Sequence, residues 1–177
     1  MPRGTRPRES VMKNKIPLLN VAVDNITMDD LLGGFHEGAL LTLHVDMIAK
    51  LQKDEEFYDL IQRFDVITCD SQILFFAAKA MGYPLQERIS GSNFFQKFYM
   101  RHRDNPDMTV FICGGAPGVA DEAMRRINAK VGRKIVVATD SPPLDFDAHP
   151  EVLDRMVEKI NASGARALVV GLAAGRQ

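Results

Sequence analysis

The stretch that decides the fold is Asp65-Val66-Ile67-Thr68-Cys69-Asp70-Ser71, which runs straight into the helical pattern of residues 72–81. A short apolar run bounded by polar residues predicts a buried strand over 65–69, and apolar positions at helical spacing predict a helix over 71–81. Gly82 and Pro84 end that helix. A buried strand followed directly by a helix is typical of a parallel sheet.

The same unit recurs on both sides of this stretch. Before it, the sequence predicts one or two strands in 16–23, broken at Asn20, a short helix capped by Thr27, a strand over 39–45 and a long helical pattern over 47–64. After it, helices over 93–103, 119–131 and 150–162 alternate with strands over 108–113, 134–138 and 167–172. This alternation predicts a doubly wound α/β fold, a mostly parallel sheet with helices on both faces.

Composition narrows the class of protein. The 177 residues are 46% apolar and 25% charged, which excludes collagen-like, low-complexity and wholly disordered chains. Because 22 basic residues face 23 acidic ones, no net field attracts nucleic acid, and none is expected as a partner. Cys69 and Cys113 each end an apolar run, and we interpret them as small core residues of a reduced cytoplasmic protein.

The first 15 residues differ from the rest. They are predicted to be a disordered basic tail, with a contact to a membrane surface or an anion as the alternative. A signal peptide is not predicted, because the basic residues are not followed by the apolar segment that a signal peptide requires. Residues 16–177 are predicted to form a single domain. No apolar stretch approaches the roughly 20 residues of a membrane-spanning helix.

Ligands of an open parallel sheet bind beyond the carboxyl ends of its strands. The residues at those ends are therefore the candidate site: Thr42, His44 and Asp46, then Asp70 and Ser71, then Gly114 and Gly115, and finally residues 173–177. Asp70 is a base, a ligand or only a helix cap, and Asp46 has the same alternatives with the cap favoured. His44 is a core or edge histidine or a ligand, and Arg88 forms a surface ion pair or contacts phosphate.

The glycine-rich stretch Cys113-Gly114-Gly115-Ala116-Pro117-Gly118 lies between a predicted strand and a predicted helix. Its backbone N–H groups could approach a phosphate, but a plain tight turn fits equally well. It lacks the lysine of a P-loop and the glycine spacing of a dinucleotide site. The acidic residue that could follow the next strand, Asp140, falls in a proline-rich loop, so an NAD-dependent dehydrogenase is disfavoured.

Taken in order, several segments resemble the WecG/TagA/CpsF glycosyltransferase family. They cover residues 16–177: 16–27, Gln52–Phe57, Asp70 with its helix, Glu87-Arg88-Ile89-Ser90-Gly91-Ser92, Phe111–Ala120, Ser141-Pro142-Pro143 and 160–172.

The resemblance implies a Rossmann-like fold and an inverting transfer of a sugar from a UDP-sugar to a polyprenyl-diphosphate-linked saccharide. The sugar would be N-acetylmannosamine or a related hexose, used in teichoic acid, capsule or exopolysaccharide synthesis. No metal and no other cofactor is implied. The family works as peripheral proteins at the cytoplasmic face of the membrane, and the resemblance leaves a homo-oligomer open.

The resemblance also implies roles for single residues. Asp70 corresponds to the family's catalytic base and Thr42 to its active-site threonine. Arg88 corresponds to an arginine near the pocket, Gly114 and Gly115 to a lining of the nucleotide site, and Gln177 to a glutamine after the last strand. His44 stands where the family usually has a substrate-binding asparagine.

The sequence departs from the family pattern in ways that bear on substrate and activity. Ser71 replaces a glycine, Asn93 an acidic residue and Gly175 a proline. The chain stops at Gln177, so we expect a form without the family's C-terminal appendage. The alternative function is accordingly a degenerate or truncated nucleotide-sugar-binding module without turnover. An epimerase is disfavoured because the dinucleotide fingerprint and a Tyr-x-x-x-Lys pair are missing.

Overall fold

The computed structural model describes residues 14–172, which divide into two compact units between Lys97 and Phe98. The predicted single domain stays a prediction. Lys15, which the sequence assigned to the basic tail, is the first residue of a strand. Residues 1–13 and 173–177 lie outside the described part.

The first unit contains four strands and most of its helices are short. Its elements are β1 (Lys15–Leu18), β2 (Val21–Asp24), α1 (Met28–Gly34), β3 (Leu40–Leu43), α2 (Val45–Leu51), α3 (Glu55–Ile61), β4 (Val66–Cys69) and α4 (Gln72–Ala80). Helix α5 (Gly91–Arg101) begins in this unit and crosses the division. β1 and β2 form an antiparallel hairpin, and β3 pairs with β4 in parallel. The hairpin confirms the predicted break at Asn20.

The predicted long helix over 47–64 is wrong, because two helices stand in its place. The Asp54 side chain accepts a hydrogen bond from the Phe57 N–H (2.9 Å) and so caps α3. Asp54 adopts an extended backbone as the cap, which ends the helical path that began at Val45. Apolar spacing alone did not reveal this break. Phe57 and Ile61 are buried in the core, so the apolar spacing correctly predicted which side of α3 faces inward.

The second unit is built on three parallel strands in the order β6-β5-β7. Its elements are β5 (Val110–Gly114), α6 (Val119–Val131), β6 (Val136–Asp140), the short 3-10 helix Phe146–Ala148, α7 (Pro150–Ala162) and β7 (Ala167–Gly171). Helices α6 and α7 begin and end as predicted, and Gly132 ends α6 in the left-handed conformation. The core of the unit includes Phe111, Cys113, Phe146 and Met156.

Strand β6 begins and ends two residues later than predicted. Ile135 and Val136 are fully buried, and the pairing with β5 skips one residue, since Val110 pairs with Val136 but Phe111 pairs with Ala138. Beyond this bulge the strand continues to Asp140. Asp140 therefore lies in the sheet opposite Cys113, not in the proline-rich loop.

Parallel strand pairs followed by helices confirm the predicted α/β class, and the fold is Rossmann-like. No helix within residues 14–172 has the length and apolarity needed to cross a membrane.

A buried carboxylate joins the hairpin to β4. Asp24 Oδ2 accepts a hydrogen bond from the Ile67 N–H (2.8 Å), and only 1% of the Asp24 side chain is exposed. No hydrogen-bond donor of residues 14–172 reaches Oδ1; the Lys15 ammonium stands 3.6 Å from it as the counter-charge. Asp24 thus satisfies a backbone N–H of the strand that leads to Asp70.

Replacing Asp24 tests this joint. We expect Asp24→Ala to lower the free energy of unfolding by about 1–3 kcal/mol, because the buried Ile67 N–H loses its acceptor. Asp24→Asn should cost less, since its amide oxygen can still accept that bond. Urea unfolding followed by circular dichroism measures both. Asp29→Ala, at an exposed position of α1, is the control; equal losses for Asp24→Ala and the control would contradict the assignment.

Candidate functional site

The first candidate site lies at the carboxyl ends of β3 and β4. The strands pair so that Thr42 stands opposite Thr68 and Leu43 opposite Cys69. The Asp70 N–H extends this pairing by donating to the Leu43 carbonyl (3.0 Å). Two chemically useful side chains, Thr42 and Asp70, are therefore delivered to the same edge of this strand pair.

Asp70 is not the cap of the helix that follows it. Ser71 is the cap of α4, and its hydroxyl accepts a hydrogen bond from the Leu74 N–H (3.4 Å). The capping alternative for Asp70 is therefore wrong. Its side chain keeps 24% of its surface exposed, enough to reach a ligand.

Arg88, in the loop before α5, and Gly91, the first residue of α5, hold the Asp70 side chain. Its Oδ2 accepts a hydrogen bond from the Gly91 N–H (3.2 Å), and its Oδ1 lies 3.5 Å from Arg88 Nη1. Arg88 Nη1 also donates to the Asp70 main-chain carbonyl (2.9 Å). Arg88 thus forms the ion pair that was one of its two alternatives, and its partner is the candidate base.

Gly91 brings Thr42 and Asp70 together. A β-carbon built on Gly91 would stand 2.9 Å from Thr42 Oγ1, closer than such contacts normally come. Glycine at this position therefore lets the start of α5 approach Thr42 while its N–H reaches Asp70. The sequence placed Gly91 in a family-like segment but assigned it no role.

His44 and Asp46 both lie at the start of α2. His44 is the cap residue of α2 but makes no side-chain cap bond, and 53% of its side chain is exposed, so a core histidine is wrong. Asp46 lies in the first turn of α2 and is not its cap. The two side chains pair with each other, His44 Nδ1 lying 3.5 Å from Asp46 Oδ2.

Asn25, which the sequence analysis did not single out, holds the loop that carries Arg88. Its side chain accepts from the Gln86 N–H (2.7 Å) and donates to the Pro84 carbonyl (3.0 Å), and its own carbonyl accepts from Gln86 Nε2 (2.8 Å). One residue after Gln86, the Glu87 carboxylate accepts from the Met28 N–H (2.7 Å) at the start of α1. These bonds join segments about sixty residues apart, so no local sequence pattern could have revealed them.

The buried thiols confirm their interpretation as core residues. Burial raises the pKa of the Cys69 thiol to about 11, and the neighbouring Asp70 carboxylate adds to the shift. Burial also raises the pKa of Cys113, with a further contribution from Asp140 that Lys159 opposes. Both groups stay protonated near neutral pH, as small hydrophobic residues do.

The second candidate site is the glycine loop between β5 and α6. Gly114 (φ 122°) and Gly115 (φ 78°) both have positive φ angles, and a side chain on Gly114 would overlap the Gly171 carbonyl of β7. Gly118 is the N-cap residue of α6 and makes no side-chain capping bond. Glycine is therefore required at 114 by contact with the neighbouring strand, and the loop presents backbone at a helix N-terminus.

A cavity of about 310 Å³ opens beside this loop. The loop between β5 and α6, the first turn of α6, the end of β6 with the next residue, and helix α7 line it. The lining residues are Pro117, Gly118, Asp121, Thr139, Asp140, Ser141 and Lys159. Asp140 pairs with Lys159 (Oδ1 to Nζ, 2.5 Å), and Thr139 donates to Asp121. Ser141 Oγ donates to the Gly114 carbonyl (3.3 Å). The cavity is large enough for a small molecule and is lined mainly by polar groups.

Two further observations concern the predicted site residues. Gln177 lies outside the described residues. Among residues 14–172, no three His, Cys, Asp or Glu side chains converge in a way that could hold a metal ion.

Loss of the Asn25 side chain should loosen the loop that carries Arg88. We expect Asn25→Ala to speed amide hydrogen exchange in residues 86–91 about tenfold or more, because two hydrogen bonds to this loop are lost. Hydrogen exchange read by mass spectrometry measures it. Asn20→Ala is the matched control, since Asn20 bonds Leu51 and Gln52 instead. Unchanged exchange at 86–91 would remove Asn25 from the support of the site.

Substitutions at two glycines separate backbone strain from contact. Gly118→Ala meets no atom within 4 Å and should cost only the strain of its left-handed backbone, about 1–2 kcal/mol. Gly114→Ala adds the overlap with Gly171, so we expect a loss of about 2–5 kcal/mol. Thermal unfolding compares the two. A Gly114→Ala variant no less stable than Gly118→Ala would contradict the close approach of β7.

Comparison with known proteins identifies the family of this chain. No protein of curated function matches the chain significantly. The model of the family described as "Glycosyl transferase WecG/TagA/CpsF family" matches residues 16–177. That match spans nearly the whole chain, including both candidate sites, and confirms the resemblance. The chain belongs to the WecG/TagA/CpsF family of glycosyltransferases.

Proposed function

We propose that the chain transfers a sugar from a UDP-sugar to a hydroxyl of a polyprenyl-diphosphate-linked saccharide, with inversion, and that Asp70 is the base. The observation that carries the proposal is the way the Asp70 carboxylate is held. Ser71 takes over the capping of α4, while Gly91 and Arg88 hold the Asp70 carboxylate at the strand edge, partly exposed. Family membership supports the reaction class.

A single displacement accounts for the chemistry. The acceptor hydroxyl oxygen attacks the anomeric carbon from the face opposite UDP, and an Asp70 carboxylate oxygen takes the hydroxyl proton. The bond between the anomeric carbon and the phosphate oxygen breaks, and UDP leaves with the electron pair. Attack from the opposite face inverts the anomeric configuration.

The other residues of the first unit have supporting roles in the proposal. Thr42, held against Gly91, donates a hydrogen bond to substrate. Arg88 fixes the main chain of Asp70 through the same nitrogen that faces its carboxylate, and its positive charge favours a diphosphate nearby. His44, half exposed at the start of α2, is accessible to substrate.

The proposal assigns nucleotide binding to the glycine loop. Gly115 is exposed and presents backbone in the loop before α6, while Gly114 is buried and lets β5 approach β7. Gln177 completes the set that the family resemblance implies. We further propose that the donor sugar is of the N-acetylmannosamine type or a related hexose. Transfer would need no bound metal and would take place at the cytoplasmic membrane face, in cell-surface polysaccharide synthesis.

The decisive variant is Asp70→Asn, because its amide oxygen can still accept from the Gly91 N–H. We expect turnover to fall about 100-fold or more while the dissociation constant of UDP stays the same, since only the proton acceptor is lost. Release of UDP from a UDP-sugar in the presence of a lipid-linked acceptor measures turnover, and calorimetry measures binding. Asp29→Asn, at an exposed position of α1 in the same unit, is the matched control and should keep full activity.

Three outcomes separate the alternatives. Full activity of Asp70→Asn would show that Asp70 is not the base. Loss of activity on adding EDTA would contradict transfer without a metal. UDP binding by the unaltered chain with no transfer would favour the binding module without turnover.

A further inference from the structure

Asp140 stands where a nucleotide's sugar would be recognised. It is the last residue of β6 and pairs with Cys113, the residue before Gly114. The order of elements is a strand, a glycine loop, helix α6, and a neighbouring parallel strand that ends in a carboxylate. In nucleotide-binding sheets of this order, that carboxylate accepts hydrogen bonds from ribose hydroxyls.

The Asp140 carboxylate is held in place yet keeps acceptor capacity. Its side chain is 16% exposed and lines the cavity, and Lys159 Nζ contacts Oδ1. An ionised carboxylate offers about four acceptor positions on its two oxygens, so one ammonium does not exhaust it. The lysine also supplies the charge that keeps a carboxylate favourable at a mostly buried position.

The charges in the cavity select the ligand chemistry. Two carboxylates, Asp121 and Asp140, face one ammonium, Lys159. This balance repels a phosphate at the Asp140 end and favours neutral hydroxyl groups that donate hydrogen bonds. Pro117 and Gly118 of the glycine loop also line the cavity, and Asp121 lies in the first turn of α6. A cavity with this lining matches the hydroxyl-bearing sugar of a nucleotide rather than its phosphates.

We propose that Asp140 binds the ribose 2′,3′-diol of a nucleotide in this cavity. The inference rests on the proposed function in taking that nucleotide to be the UDP of the donor. Lys159 orients the Asp140 carboxylate. The hydroxyl of Ser141, the residue after Asp140, donates a hydrogen bond to the Gly114 carbonyl and so connects the diol-binding position to the glycine loop.

Calorimetric titration with UDP and with 2′,3′-dideoxy-UDP tests the role of Asp140. We expect the unaltered chain to bind UDP about 10–100-fold more tightly than the dideoxy analogue, since hydrogen bonds to a charged acceptor have that weight. Asp140→Ala should weaken UDP binding and leave the binding of the dideoxy analogue unchanged or tighten it, because the analogue loses no hydrogen bond and the carboxylate no longer repels its phosphates. Asp140→Asn, which keeps the side-chain size, should fall between, and thermal unfolding checks that both variants are folded.

A carboxylate outside the cavity provides the control. If Asp140 acted only through its charge, removing it would relieve repulsion of the diphosphate and tighten UDP binding. Asp154→Ala removes an exposed carboxylate of α7 that does not line the cavity, and it should leave the affinity for both ligands unchanged. Asp140→Ala that binds UDP as tightly as the unaltered chain, or that weakens both ligands equally, would overturn the inference.

The outcomes also separate this inference from the proposed function. Sugar transfer from a UDP-sugar that survives Asp140→Ala with unchanged UDP affinity would overturn the ribose assignment alone. Binding of ADP but not UDP, with the same dependence on Asp140, would keep the ribose assignment and overturn the uridine donor. Binding of neither nucleotide by the unaltered chain would overturn both.

Discussion

The parallel pairing of β3 with β4 positions the candidate catalytic groups of the first unit. Because Leu43 stands opposite Cys69, the next residue, Asp70, bonds back to β3 and emerges beside Thr42. A shift of one residue would turn each side chain to the other face. The Asp24 carboxylate, bonded to Ile67 within β4, ties this pair to the hairpin. The site thus depends on backbone pairing that is completed by a side chain distant in the sequence.

Two adjacent residues follow β4: Ser71 caps the next helix, and Asp70 belongs to the candidate site. Ser71 satisfies the N-terminus of α4, so Asp70 can be held by Gly91 and Arg88 instead. The sequence analysis offered Asp70 as a cap, and the observed bond from the Leu74 N–H to the Ser71 hydroxyl assigns that place to Ser71 instead. Asn25 and Glu87 then hold the loop that carries Arg88, so Asp70, Arg88 and the residues that support them form one hydrogen-bonded group.

In the second unit, Asp140 lies in a strand where the sequence predicted a loop. The apolar pattern ended β6 at 138 and left Asp140 in a loop. In the structure the pairing continues past the bulge between Val136 and Ala138, and Asp140 stands opposite Cys113 in the strand that leads to the glycine loop. Its pairing with Lys159, nineteen residues later in α7, sets the charge balance of the cavity. None of these contacts leaves a local signature in the sequence.

What the sequence by itself determined is the class of fold, most strand and helix positions and the residues at the strand ends, because hydrophobic periodicity and capping residues act locally. The bounds of α6 and α7 and the hairpin break at Asn20 were predictable for that reason. The sequence missed the division of residues 47–64 into α2 and α3 and the true end of β6. Only the tertiary structure decided which residues meet: Asp24 with Ile67, Asn25 with the Arg88 loop, Gly91 with Thr42 and Asp140 with Lys159. The physical reason is that these hydrogen bonds and close approaches join segments far apart in the chain, where no spacing rule relates one residue to the other.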